Sequence, residues 1–573
     1  MKNLLKQLLF FALVLSIGSC KDELDVPLSA TSADEIVATA ALAEQLTVGA
    51  YAGLEMRRES AASNWTFGGC GSDDAFKGST PGDQSEITQM EIYDVAANNE
   101  YVRLRWRGLY EGIARSNAAI GVVAEGLESE ALTPMAANAF LAELRFLRGF
   151  YHFQLRMTFG NVPYIDETIT ETPTNNTDIY PNIEADFQFA IDNLDVESTR
   201  FGGANQWNAK AYLAKVHMYQ LDYAAAKPLL QDIIDNGPYS LMPSFHQNFN
   251  FAFNNNSETV FAVQYAVNDG SGASQDNGNQ GDELNYPHDQ SPFGCCGFYQ
   301  PTHDLVNAYL TDANGLPLTI PPSDPANYVA NVDPSNPNSE TPVEDGDAGT
   351  SVFAEETRNL DPRLDWTVAR PGIPLFDRGD FMLAWSRDPA AGGPYYSKKL
   401  LWAESEDGLA RVAGAWGQNI SVIQTNLIRY SEILLWRAEI AVSESDLNTA
   451  VTLVDQVRQR NMDPDTWVKE NDGVTNAANY AIGLYADNGG FPDATFAMNA
   501  VIMEYRLETA MEGRRFFDLV RRGIAKEVLD GYTSRPQFRS YLNGVTFPAT
   551  RGIYPLPQEA IDLSFGALTQ NTY

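Results

Sequence analysis

Apolar residues recur at steps of three and four over two long stretches near the amino end of the chain. From Asn98 to Leu127, Trp106, Leu109, Tyr110, Ile113, Asn117, Ile120 and Val123 share one helical face. That face must bury against a neighbour. A second helix is predicted from Met135 to Thr158, with Phe140, Leu144, Leu147 and Tyr151 on its apolar side. It stops where Gly160 can take a left-handed cap and Pro163 forbids continuation. Trp106, Tyr110 and the later helical Trp436 are expected in the core.

Two helical hairpins share a spacing. Leu213-Ala214 is followed by Ala226, Leu230 and Pro238, and Ala438 is followed twelve residues later by Ala450, then Val454 and Val457. Small residues at matching places let paired helices approach closely, as in a degenerate tetratricopeptide repeat. From Phe245 to Trp416 the helical period is lost, and Asn, Asp, Gly and Pro clusters read as turns. Thr259–Tyr265 and Asp365–Ala369 are short strand candidates. Ordered loops of this length on a rigid scaffold are where binding residues concentrate.

Charge narrows the function. The 573 residues carry 39 Lys and Arg against 75 Asp and Glu, a formal charge of −36, with no basic run or stripe. A nucleic-acid partner is therefore not expected. At the start, Lys2 and Lys6 precede an apolar run from Leu8 to Ile17, too short to span a bilayer comfortably, and then Ile17-Gly18-Ser19-Cys20. This reads as residues 1–19 of a lipoprotein signal peptide with Cys20 as the lipidated (palmitate-bearing) amino end. Loss of the two lysines takes the charge from −36 to −38. Cys70, Cys295 and Cys296 then remain. Gly294-Cys295-Cys296-Gly297 offers a vicinal disulfide, a bridge from one member to Cys70 is the alternative, and three thiols are a third.

Motifs for catalysis are missing. There is no His-Glu-x-x-His, no Gly-x-Ser-x-Gly elbow and no Walker loop, and the five histidines stand apart. The chain is read as non-enzymatic, with a surface glycosidase built on two distant carboxylates kept as an alternative. The acidic loop Asp276–Glu283 and the group Glu344, Asp345 and Asp347 are candidate calcium sites, neither with EF-hand spacing.

Several segments, in order, resemble the SusD/RagB family. They are Leu144-Arg145-Phe146-Leu147-Arg148-Gly149 through Phe159-Gly160-Asn161-Val162-Pro163; Pro301-Thr302 with Leu305-Val306 and Ala308-Tyr309; Asp361-Pro362-Arg363-Leu364; and Arg429-Tyr430-Ser431-Glu432. The helix with Glu508, Glu512-Gly513, Arg514 and Asp518-Leu519 and the ending Tyr554-Pro555-Leu556-Pro557 with Gln570-Asn571-Thr572-Tyr573 complete the set. The resemblance implies a mainly α fold of tetratricopeptide-like helix pairs supporting a loop-rich half with a few short strands. It divides the mature chain into a helical region, 20–244, and a region 245–573 that carries the binding insert at about 245–416. It also implies an outer-membrane, surface-exposed lipoprotein that captures a glycan for a SusC-like TonB-dependent transporter. Lys21-Asp22-Glu23 is similar to the family's acidic export signal. A peptide-binding scaffold for peptide uptake is the main alternative.

Glycan capture needs flat rings against sugar C–H faces and polar groups for the hydroxyls. In the family, contacts come from loops after the first helix and from a later loop. Here those loops offer Trp65, Asp73 and Asp74, then Tyr286, His288, Gln290 and Phe298, with Trp385 as an outlying candidate. A disulfide between Cys295 and Cys296 would stiffen the surface beside Phe298.

Overall fold

The computed structural model describes residues 38–573 except 56, 58–60, 271–276, 289, 319–356 and 535–539. Cys20, the leader, Lys21-Asp22-Glu23, Asp276, Glu344, Asp345 and Asp347 lie outside the described residues. Among the described residues no helix is long and apolar enough to cross a membrane.

The predicted helices form, and the fold is mainly helical. Chain order gives α1 (Ala40–Tyr51), α2 (Ser85–Glu91), α3 (Glu100–Glu128) and α4 (Pro134–Phe159). Then follow α5 (Tyr180–Asn193), α6 (Gln206–Tyr219) and α7 (Tyr223–Asn236). Thr133 caps α4 by accepting from Ala136 N, Pro134 sits where no intrahelical N–H is needed, and Gly160 ends the helix at φ 75°. The Trp106–Val123 stripe is inside as its period requires. Phe146 and Phe150 each meet Tyr212 edge to face, with centroids 5.5 and 5.6 Å apart, and Phe261 of strand β2 (Thr259–Val263) closes on Phe146 at 5.0 Å.

The two hairpins are copies of one unit. The second consists of α8 and α9: here α8 denotes Tyr430–Ser443 and α9 Leu447–Gln459. In the α6–α7 connection Leu221 turns at φ 57° and Asp222 caps Ala225 N at 3.1 Å; in the α8–α9 connection Ser445 turns at φ 63° and Asp446 caps Thr449 N at 3.1 Å. Ala214, Ala226, Ala438 and Ala450 are fully buried at the matching positions. The spacing that suggests the repeat is thus backed by the same turn.

Short antiparallel strand pairs stitch the second half to the first. Strand β1 (Ala75–Gly78) pairs with β3 (Phe298–Pro301), and β2 pairs with β8 (Thr425–Arg429). The short β4 (Val368–Ala369) pairs with β5 (Tyr396–Ser397), and β6 (Arg411–Ala413) forms a hairpin with β7 (Asn419–Ser421). Of the stretch Asp365–Ala369, only its last two residues are strand; Leu364–Thr367 is a helical turn.

Three of the family-like segments, those of Asp361 and Arg363, of Arg429 and of Glu508 and Glu512, meet in one buried ion cluster. Helix α10 (Ala494–Thr509) carries Glu504 and Glu508 one turn apart. Glu508 accepts from Arg363, Arg429 and Arg460; Glu504 accepts from Arg363 and Arg458. Arg363 is also gripped by Asp361, and Arg429 by Glu258 and Glu512. Removing one partner from such a cluster strands a charge without water, at a cost of about 3–5 kcal/mol.

Candidate functional site

Most of the rings expected to face a sugar are structural. Trp65 is fully buried, its Nε1 donating to Gly281 O at 3.0 Å and its ring packed on Phe298 and Tyr299. Phe298 is likewise buried in β3. Asp73 and Asp74 do not face solvent either. Arg515 holds both oxygens of Asp73 at 2.8 and 2.9 Å, and Arg506 donates to Asp74 Oδ1 at 2.8 Å. Burial opposes ionisation of Asp73, but Arg506 and Arg515 outweigh it and keep the carboxyl well below the usual range. The Trp65 segment is tight as well: a Cβ on Gly68 would sit 1.9 Å from Gly513 O.

Tyr286 and Trp385 are corrected in the same way, for a reason peculiar to this half. Without helix pairs to bury its apolar mass, the loop region builds a small core of its own from Tyr286, Phe293, Phe381, Trp385, Tyr396 and Trp402. Trp402 meets Tyr286 at 5.5 Å and Phe293 at 5.1 Å, and Phe381 meets Trp385 at 5.3 Å. These rings are spent on folding.

What they support is a rim. Cys295 and Cys296 form a vicinal disulfide, while Cys70 is buried elsewhere with its Sγ 3.6 Å from Phe76 O. Gly294 and Gly297 flank the pair at φ 86° and 84°, a region that residues with a Cβ avoid, which accounts for Gly-Cys-Cys-Gly. The loop is anchored from below: Gly297 N donates to Tyr286 O at 2.8 Å and Phe298 N to Leu284 O at 3.1 Å. Cys295 stays half-buried, Pro292 and Gly294 exposed.

Beside it stands the β6–β7 hairpin. Gly414 N donates to Gln418 O at 2.8 Å, and the tip presents Trp416, 50% exposed. Asn419 Nδ2 donates to Phe293 O, and Gly417 O would lie 3.4 Å from a Cβ on Gly294, so tip and disulfide loop are neighbours. On the other flank Arg387 donates to Asp83 Oδ2 at 2.6 Å and to Cys296 O at 3.3 Å. His288, half-buried, donates its backbone N–H to Trp385 O at 2.9 Å, and Gln290 is exposed. Of the expected site residues, the rim therefore keeps His288 and Gln290 and adds Trp416. Sequence reading passed over Trp416. The available signal was a large ring set in Gly414-Ala415-Trp416-Gly417, a turn with nothing to bury it.

Asp282 and Glu283 of the acidic loop are committed to the protein. Asp282 accepts from Ser63, Asn279 and Asn285, and Glu283 from Gln418. Among the described residues no three His, Cys, Asp or Glu side chains converge as a cation cradle.

The chain is thus a helical-repeat scaffold whose loop-rich half carries a ring-tipped rim. The SusD family profile matches residues 257–573, and a second, described as starch-binding associating with outer membrane, matches 24–218. The chain belongs to the SusD family. It is 25% identical to the SusD-like protein P2 of Formosa agariphila, over 93% of this chain and 94% of that one. Among solved structures it resembles a laminarin binding SusD-like protein (TM-score 0.63, 21% identity, 93% of this chain and 99% of that one). It also resembles surface glycan-binding protein A from Bacteroides thetaiotaomicron in complex with laminarihexaose (TM-score 0.61, 19% identity, 93% and 100%).

Proposed function

We propose that this protein is a non-catalytic, cell-surface lipoprotein, anchored through Cys20, that captures oligosaccharides and delivers them to a SusC-like TonB-dependent transporter in the outer membrane. The observation that carries the reading is Trp416, half exposed at a hairpin tip beside the glycine-flanked disulfide. An indole face offers stacking area with little conformational entropy to lose, and the pre-formed loop lowers the cost of binding further. His288 and Gln290 of the disulfide loop and the Arg387–Asp83 pair on its other flank add donors and acceptors for hydroxyls. Family membership supports the class, and the neighbour bound to laminarihexaose suggests the first ligand to try.

Two features argue against the rivals. Asp73 and Asp74, the carboxylates singled out on the early loop, are locked to arginines, so neither is placed to serve as a glycosidase's acid or nucleophile. The exposed ring and disulfide lie on the loop half, whereas a peptide scaffold would use helical grooves. Calorimetry of the mature chain with laminarihexaose and a panel of neutral polysaccharides is the test. Trp416→Ala is expected to weaken binding at least tenfold with the thermal midpoint unchanged. No saccharide binding at all would reject the function; unchanged affinity in Trp416→Ala would reject the site.

A further inference from the structure

A second cleft, of about 640 Å³, shares no residue with the rim. His246 and Trp366 stack with centroids 4.4 Å apart and planes at 15°, and Phe376 leans on His246 at 5.1 Å. Trp366, Phe376 and Trp467 all keep partly exposed faces. Both indoles are fixed by their N–H groups, Trp366 to Thr466 O at 2.9 Å and Trp467 to Asn461 O at 2.8 Å. Phe376 sits at φ 55°, a conformation that a bulky residue keeps only when its surroundings enforce it.

The floor has donors to spare. Lys398 is 1% exposed, lies 4.7 Å from the Trp366 ring and 5.0 Å from the Phe376 ring, and donates to Pro374 O at 3.0 Å. Among the described residues that is its one hydrogen bond, and the ammonium otherwise faces the two rings, with N–H capacity left for a ligand oxygen. His246 Nδ1 is buried with no hydrogen-bond partner among the described residues. Asp377, Asp465 and Glu470 line the cleft as well.

We infer that this cleft is a second saccharide-binding site, built for one or two units of a neutral glycan that stacks on Phe376 and the indoles and places hydroxyl oxygens on Lys398. The volume is that of a small-ligand pocket. A cationic ligand is excluded by the ammonium already lying against the rings, and the three carboxylates disfavour an anionic sugar while accepting hydroxyl protons. The inference rests on the reading of the chain as a saccharide binder.

The experiment uses the mature chain carrying Trp416→Ala, titrated calorimetrically with neutral oligosaccharides of two to six units, laminarihexaose included. A residual binding step is expected, and Phe376→Ala or Lys398→Met added to that background should weaken it at least tenfold. Near-ultraviolet circular dichroism establishes that each variant is folded; if one is not, the other and Trp467→Phe, which keeps an aromatic ring but shrinks its face, serve instead. If Trp416→Ala alone removes every saccharide interaction, or if the added substitutions change nothing, the second site is overturned while capture at the rim stands. Affinity undiminished by Trp416→Ala but lost in Phe376→Ala would overturn the rim and support the cleft.

Discussion

Arg460 and Glu508 form a buried clasp in which one guanidinium nitrogen lies 2.6 Å from Oε1 and 2.7 Å from Oε2 of the carboxylate. Arg363 and Arg429 reach the same carboxylate from two other segments. Glu508→Gln, which keeps the shape and removes the charge, leaves three guanidinium groups short of a counterion. A stability loss of about 3–5 kcal/mol is expected in urea unfolding. A loss under about 1 kcal/mol would mean that the cluster is hydrated.

Acid should loosen this cluster at Glu512 and a second buried one at Glu439. Burial alone would raise the Glu439 and Glu512 carboxyls, but Arg521 and Arg522 at the first, and Arg429, Lys399 and Arg514 at the second, bring both to about 2. Their folded values lie below the ordinary 4.5, so the unfolded chain binds the extra protons. This stabilisation is complete above about pH 4.5 and drains away as pH falls toward 2. The midpoint of thermal unfolding, followed from pH 7 to 3, should be flat in the upper part of that range and fall in the lower.

Trp65→Ala and Tyr286→Ala should behave unlike Trp416→Ala. The first two empty filled space in the interior and are expected to cost about 3–5 kcal/mol each. Replacement of Trp416 should stay within about 0.5 kcal/mol of the parent. Denaturant titration of the three variants separates scaffold rings from a binding ring.

Thiol counting checks the disulfide. In a chain lacking residues 1–20, native alkylation without reductant should label nothing, because Cys70 is 1% exposed and Cys295 and Cys296 are joined. Unfolding without reductant should expose one thiol, and reduction three. Labelling of all three without reductant would remove the disulfide from the rim.

The helical half is legible in the sequence because a 3.6-residue period leaves a visible stripe, as Trp106 to Val123 shows. The ion cluster is legible only as motif, since nothing in Arg363 or Glu508 alone announces that they meet across 145 positions. The rim is the least legible part. Tyr286, Phe298 and Trp385 sit among glycines and polar residues exactly as exposed rings would, yet the irregular half needs them to make an interior. Local composition does not distinguish a ring that caps a loop from one that holds it down. His288, Gln290 and Trp416 emerge once the interior is assigned.

Strand β1 pairs with β3, and Arg506 and Arg515 fasten Asp73 and Asp74 to the far end of the chain. Mechanically, this makes residues 73–78 a keel shared by both halves. A pull applied at the first helix is handed directly to the carboxy-terminal helices, so the described body should swing as one rigid lever.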